Sequence, residues 1–301
     1  MKWPRGKPIN TNDHPPAAVT RFYGKVDYAL DVIRNKQIAF VHVSLLNDPF
    51  DPYCFYETDF EVKYTGLLRY VKTHHPHDIS WFRAEVTPSS WGKAVRGVFA
   101  YFKDLQQHTF MLSTSAPLAG LHPKDSLYMW GHYGNGHRGL AIEFDTEEVA
   151  AAVLKQHELE NGAPSAEREI WSKVEYAERF APITAADVFT FLKQEHDLFY
   201  RRISARVETN LERYYKRMSV IKSGIWQTEN EWRLMWRSRT AAPPVYKCPI
   251  SSACVANIYI GLTYQGDTSA LVAEIKNEFP NTGIFWAKKR HGDLALEFVR
   301  Q

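Results

Sequence analysis

Two glutamates separated by one residue, Glu229 and Glu231, form the pair in this chain best suited to acid–base work. On one strand, side chains two apart face the same side, so both carboxylates would point into one cleft. Their repulsion would raise the pKa of one and make it a usable base. The same pair also reads as surface acids, with Glu231 paired to Arg233. Ser113, Thr114 and Ser115 supply three consecutive hydroxyls, which a strand end can use to satisfy its own backbone. Arg21, taken alone, is a solvated or ion-paired strand residue.

His132 and His137 lie five apart with Gly134 and Gly136 between them. Metal ligands on one helix use spacings of three or four, so a zinc pair completed by Glu143 is disfavoured. Histidines satisfied within a helix-to-strand turn are the plainer reading. In a functional version His132 and Tyr133 donate hydrogen bonds to a bound nucleotide or acceptor. Asn47, Asp48, Pro49, Phe50 and Asp51 form a turn whose Asx side chains bond their own backbone, unless Asn47 or Asp48 reaches a ligand from a loop. Arg202, Arg206, Arg213 and Arg217 recur at intervals of four and seven, and so share a helix face that is either a solvated edge or a surface for a polyanion or macromolecular partner.

Several signatures are absent: no G-x-x-x-x-G-K-[ST], no G-x-G-x-x-G opening a helix, no H-E-x-x-H and no G-x-S-x-G. The nucleotide hydrolase, Rossmann, zincin and α/β-hydrolase readings lose their support. The 301 residues carry 37 Lys and Arg against 34 Asp and Glu, a balance too small to imply a nucleic-acid or membrane partner by bulk charge. Three cysteines, Cys54, Cys248 and Cys254, form no C-x-x-C pair, which fits a reducing cytoplasm. No apolar run is long enough to span a bilayer, and the start MKWPRGKPIN lacks the apolar core of a signal peptide. A cytoplasmic location is expected.

These residues need elements to hold them. Pro4, Pro8, Pro15 and Pro16 predict an extended arm over residues 1–18. The patterning then predicts a strand at 20–23, a helix from Val26, a strand at 38–43, a helix at 91–107 and a strand at 110–115. A short helix at 125–133 ends at the glycines, followed by a strand at 139–144, an Ala-rich helix at 147–160 and a strand at 174–176. Residues 185–222 read as helical for most of their length, the longest element, with room for one break. Four strand candidates follow, at 231–236, 255–261, 283–287 and 294–299, with a helix at 269–279. The class is α+β, with a split mixed or antiparallel sheet in one domain over 19–301 and a helical insertion at about 184–222.

Three blocks carry a family resemblance: RFYG…VDYALDVIRNKQIAFVHVSLLNDPFD at 21–51, FMLSTSA…LYMWGHYGNGHRGLAIEFD at 110–145 and KSGIWQTENEWRLMW at 222–236. Together they resemble a bacterial family known only as a domain of unknown function. Some of its members occur among abortive-infection or phage-defence genes. A second resemblance is to arginine-type ADP-ribosyltransferases and related NAD glycohydrolases, which carry an Arg on the first strand, a Ser-Thr-Ser on a later strand and a Glu-x-Glu near the fifth. Arg21, Ser113-Thr114-Ser115 and Glu229-Asn230-Glu231 follow that order.

This resemblance implies NAD as substrate and a fold like that of the transferases. Glu231 would stabilise the oxocarbenium-like charge on the ribose, and Glu229 would orient or deprotonate the acceptor. Arg21 would hold an NAD phosphate, Ser113 and Ser115 would position the ribose, and Tyr23 or Trp130 would stack on nicotinamide. The expectation is a toxin or phage-defence effector that transfers ADP-ribose or cleaves NAD, with no metal. Two rivals stand beside it. One is a magnesium-dependent nuclease using Asp48, Asp51, Glu143 and Glu231. The other is a non-catalytic binding or sensor module. Acceptor, oligomeric state and trigger are left open.

Overall fold

The computed structural model describes residues 14–46, 48, 62–161, 170–178, 183–201, 210–238 and 244–301. Residues 1–13 of the expected arm, together with Asn47, Pro49, Phe50, Asp51, Arg202 and Arg206, lie outside the described residues. In chain order the elements are β1 (Ala18–Tyr23), α1 (Val26–Asn35), β2 (Gln37–His42), α2 (Tyr64–His74), α3 (Ile79–Glu85), α4 (Trp91–Gln107), β3 (Thr109–Ser115), α5 (Leu127–His132), β4 (Leu140–Asp145) and α6 (Thr146–Asn161). Then follow β5 (Trp171–Lys173), β6 (Glu175–Ala177), α7 (Ala185–Arg201), α8 (Asn210–Met218), β7 (Ile221–Ser223), β8 (Glu231–Arg237), β9 (Val245–Pro249), β10 (Val255–Ile260), α9 (Thr268–Glu278), β11 (Gly283–Lys289) and β12 (Leu296–Arg300). The protein is α+β, and among the described residues no helix is long and apolar enough to cross a membrane.

The chain divides into two compact units. One is made of Val43–Thr109 and Ala177–Ser223, and its described part is mostly helical. Its core joins Leu67 and Val71 of α2, Phe82 of α3, Val98 and Phe102 of α4, Phe189 of α7 and Tyr214 of α8. The span 185–222 is helical for most of its length, as expected, in two helices, α7 and α8; α8 stops at Met218 and the chain turns into β7.

The other unit holds the sheet, in the order β12-β11-β10-β4-β1-β3-β2-β9, with β8 joined to β3 and β5 joined to β8. β10 and β11 run parallel, whereas β1 runs antiparallel to both β3 and β4, and β4 to β10. The sheet is thus mixed and mostly antiparallel.

Each strand sends alternate residues to opposite faces. On one face Val19 and Tyr23 of β1, Leu112 of β3, Ile142 of β4, Trp232 and Leu234 of β8 and Ile258 of β10 form the main core. On the other face Phe22, Ala141 and Tyr259 pack against Met129 and Trp130 of α5. Burying a side chain of this size is worth about 1.5–3 kcal/mol. Polar residues within either face are therefore the informative ones.

Candidate functional site

The polar residues collect on the second face. Thr20 is the cross-strand partner of both Glu143 and Ser115, and Asn257 pairs with Glu143. A row of polar side chains therefore crosses β10, β4, β1 and β3. Because Trp232, Leu234 and Trp236 of β8 enter the main core, Glu231 and Arg233 point the other way, to the side of Ser113 and Ser115. β8 is fastened to β3 by the Thr114 hydroxyl, which donates to the Trp232 carbonyl at 2.9 Å, and by the Ala116 N–H, which donates to the Asn230 carbonyl at 3.1 Å.

Glu231 and Arg233 make a fully buried ion pair. Arg233 Nε donates to Glu231 Oε1 at 2.7 Å and Nη2 donates to Oε2 at 3.0 Å, a two-point contact in which Arg233 is 0% exposed and Glu231 3%. Such forked contacts are the strong ones. Both Glu231 oxygens are thereby engaged.

Glu229 is not on the strand with Glu231. It ends a 3₁₀ turn, Gly224–Glu229, and Asn230 follows in the left-handed region at φ 42°. Asn tolerates that conformation better than most residues. Its Nδ2 donates to the Pro117 carbonyl at 2.8 Å and so pins the kink. The alternation argument for Glu229 and Glu231 therefore fails, yet the two remain neighbours. Glu229 is buried and accepts a hydrogen bond from the Tyr133 hydroxyl at 2.5 Å. The Tyr176 hydroxyl accepts from the Glu231 N–H at 2.9 Å. Burial pushes the Tyr176 phenol well above its ordinary value, and the nearby Glu231 and Glu229 charges add to this, so it stays protonated. Sequence reasoning missed Tyr176.

The segment after α5 delivers Tyr133. Asn135, Gly136 and His137 all have positive φ, at 51°, 62° and 67°. A Cβ at Gly139 would stand 2.1 Å from the Tyr23 carbonyl oxygen, so only glycine lets β4 start there. Trp130 is wholly buried, edge-on to Phe22 with ring centroids 5.1 Å apart, and its Nε1 donates to the Lys124 carbonyl at 2.7 Å. It is a floor of the core and offers no stacking surface to a ligand. Exposed His132 is flanked by Tyr128, stacked at 5.4 Å, and by Trp226 at 5.4 Å. In a 3₁₀ helix residues three apart eclipse, so Trp226 and Glu229 share one side of their turn.

Arg21 and Tyr23 do not join this site. They stand on the main-core face, with Arg21 paired to Ile142 and Tyr23 to Leu140. Arg21 Nη1 donates to the Ala39 carbonyl at 2.6 Å, and its guanidinium lies 5.4 Å from the centre of the Tyr23 ring. Burial raises the Tyr23 phenol, only partly offset by the Arg21 charge. The face that takes Ser113, Ser115 and Glu231 thus excludes the arginine expected beside them.

Glu143 accepts from Tyr259 Oη at 2.5 Å and Asn257 Nδ2 at 3.3 Å, with His122 Nε2 at 3.2 Å. Burial works to raise its carboxyl, but the hydrogen bonds from His122 and Tyr259 outweigh that and hold it below the ordinary carboxylate range. Among the described residues no group of three or more His, Cys, Asp or Glu side chains is placed to hold a metal ion. Of the arginine stripe, Arg213 is exposed and Arg217 half-buried, both on α8.

Fold and site together define an α+β protein with two buried carboxylates at the β8 end of a mixed sheet. Residues 129–234 match the family described as Protein of unknown function (DUF2971). The match takes in Tyr133, both glutamates and Arg233, and it bears out the resemblance to an uncharacterised family. No curated protein and no solved structure matches the chain.

Proposed function

We propose that this protein cleaves the bond between ribose and nicotinamide in NAD, passing the ADP-ribose to water or to a macromolecular acceptor. The observation that carries the reading is the pair of buried carboxylates, Glu229 and Glu231, on the side of the sheet that presents Ser113 and Ser115. With Glu231 engaged at both oxygens by Arg233, the carboxylate assigned to the sugar is Glu229, and Glu231 acts as the fixed anchor beside it. In the reaction the C–N bond breaks and its electron pair leaves with the nicotinamide nitrogen. Glu229 stabilises the positive charge that develops on the ribose carbon. The oxygen of water, or a nucleophile of the acceptor, then bonds to that carbon and gives up its proton with Glu229 as base. Tyr133 holds Glu229 in place, and half-buried Trp226 and exposed Tyr128 replace Tyr23 and Trp130 as the aromatic border.

In this version Arg21 contributes nothing to the dinucleotide. The likeness to a transferase fold, and a role in a bacterial toxin or phage-defence system, belong to the same proposal. Incubation with NAD labelled in the nicotinamide ring and, separately, in the adenosine tests it. Wild type is expected to release nicotinamide, and Glu229→Gln to release it at least about tenfold more slowly, the cost of one charged transition-state contact. Equal release by the two proteins, or none by wild type, overturns the proposal.

A further inference from the structure

Thr20 is 1% exposed, and its hydroxyl has no hydrogen-bond partner among the described residues. Leaving a buried hydroxyl unsatisfied is unfavourable, and valine has the same shape, favours strands and carries no such penalty. The position therefore holds a polar group whose partner is not among the described residues. Its surroundings indicate the use. Thr20 sits at the middle of the polar row, with Glu143 as its partner on one side and Ser115 on the other. Directly paired side chains in antiparallel strands have Cβ atoms about 4.5–5.5 Å apart. Glu143 is held by Tyr259, Asn257 and His122, and among the described residues its Oε1 takes a hydrogen bond from Asn257 alone, which leaves that oxygen able to accept another. One strand further on, Ser113 is half-buried on the same face, where the row meets solvent.

A carboxylate held by its neighbours, on the residue directly paired with a buried unpartnered hydroxyl, is a donor–acceptor set that two vicinal hydroxyls of a sugar can meet. One sugar hydroxyl donates to Glu143, and the other exchanges a hydrogen bond with Thr20. We infer that Thr20 and Glu143 form a diol-binding subsite for a ribose of the substrate, with Thr20 as the residue that determines specificity for the hydroxylated sugar. The inference rests on the proposed reading of NAD as substrate, and it names which part of the dinucleotide the polar row takes.

The test uses the full chain and its Thr20→Val and Thr20→Ser variants. Binding of ADP-ribose and of its 2′-deoxy and 3′-deoxy ribose analogues is measured by calorimetry, alongside thermal unfolding and nicotinamide release from NAD. Thr20→Val is expected to raise the melting temperature by about 2–4 °C, because an unsatisfied polar group is removed. The same variant is expected to weaken ADP-ribose about tenfold and to lose the wild-type preference for the ribose over its deoxy forms, while Thr20→Ser keeps both. A Thr20→Val protein that is less stable than wild type, or that binds ADP-ribose equally well, overturns the inference. So does a preserved preference for the hydroxylated sugar. Nicotinamide release by wild type with no effect of Thr20→Val removes the subsite and leaves the proposed reaction. Diol-dependent binding without nicotinamide release removes the reaction and leaves the subsite. Absence of ADP-ribose binding by wild type removes the subsite outright.

Discussion

Replacing Arg233 by methionine probes the Glu231 pair at its most sensitive point. The variant keeps an unbranched apolar stem in place but removes the guanidinium that meets Glu231 at 2.7 and 3.0 Å. Arg233 is fully buried and Glu231 nearly so, which leaves water little access to the stranded carboxylate. Breaking a buried pair from one side costs about 3–5 kcal/mol, because a charge is left without compensation. With a denaturant slope of about 3 kcal/mol/M in urea, that is a fall in the unfolding midpoint of about 1–1.7 M. The double variant Glu231→Leu/Arg233→Met removes both charges and is expected to lose less than the single one. Urea unfolding followed by tryptophan fluorescence measures all three proteins. A loss below about 1 kcal/mol in Arg233→Met, or a double variant worse than the single, refutes the claim that the two buried charges compensate each other.

Three further outcomes follow from the geometry. Tyr133→Phe deletes the hydroxyl that donates to the buried Glu229 carboxylate and should lower unfolding free energy by about 1.5–3 kcal/mol; unchanged urea curves would contradict that contact. Gly139→Ala places a Cβ 2.1 Å from the Tyr23 carbonyl oxygen and should cost roughly 3 kcal/mol or more, visible as lost soluble yield or a much lower melting temperature. Glu143 has its folded-state pKa held below the ordinary range, so it contributes stability that is complete above that range and lost as pH falls through the folded value. Glu143→Gln should therefore flatten the acid limb of a stability-against-pH curve, and identical limbs would refute the assigned hydrogen bonds.

Much of the element order is legible in the sequence. The helix predicted at 91–107 coincides with α4, because a clean apolar stripe of Val98, Phe102 and Leu105 marks it. The strand at 231–236 is legible from W-x-L-x-W, whose alternation is the core face itself. By contrast α2 and α3 escape, since YTGLLRYVKTH carries a glycine and β-branched residues and buries only Leu67 and Val71, with no side-chain cap at its start. The short strand β9 ends on a proline and gives almost no signal.

At the site, the residues were legible but their faces were not. Phe22 and Tyr23 are adjacent aromatics, so either parity of β1 looks apolar, and a change of parity sends Arg21 to the opposite side of the sheet. The 3₁₀ turn with its left-handed Asn230 likewise breaks an alternation that E-N-E suggests. Arg233 was visible only as a partner for Glu231, and Tyr176 becomes a neighbour of that glutamate only through tertiary packing.

The most direct test of the account compares nicotinamide release from NAD in two variants that circular dichroism shows to be folded, Arg21→Ala and Glu229→Gln. Arg21 faces the main core and Glu229 the polar side. The account predicts that Arg21→Ala stays within about threefold of wild type while Glu229→Gln falls at least about tenfold. An Arg21→Ala protein that loses turnover while Glu229→Gln retains it would contradict the assignment of the chemistry to this face.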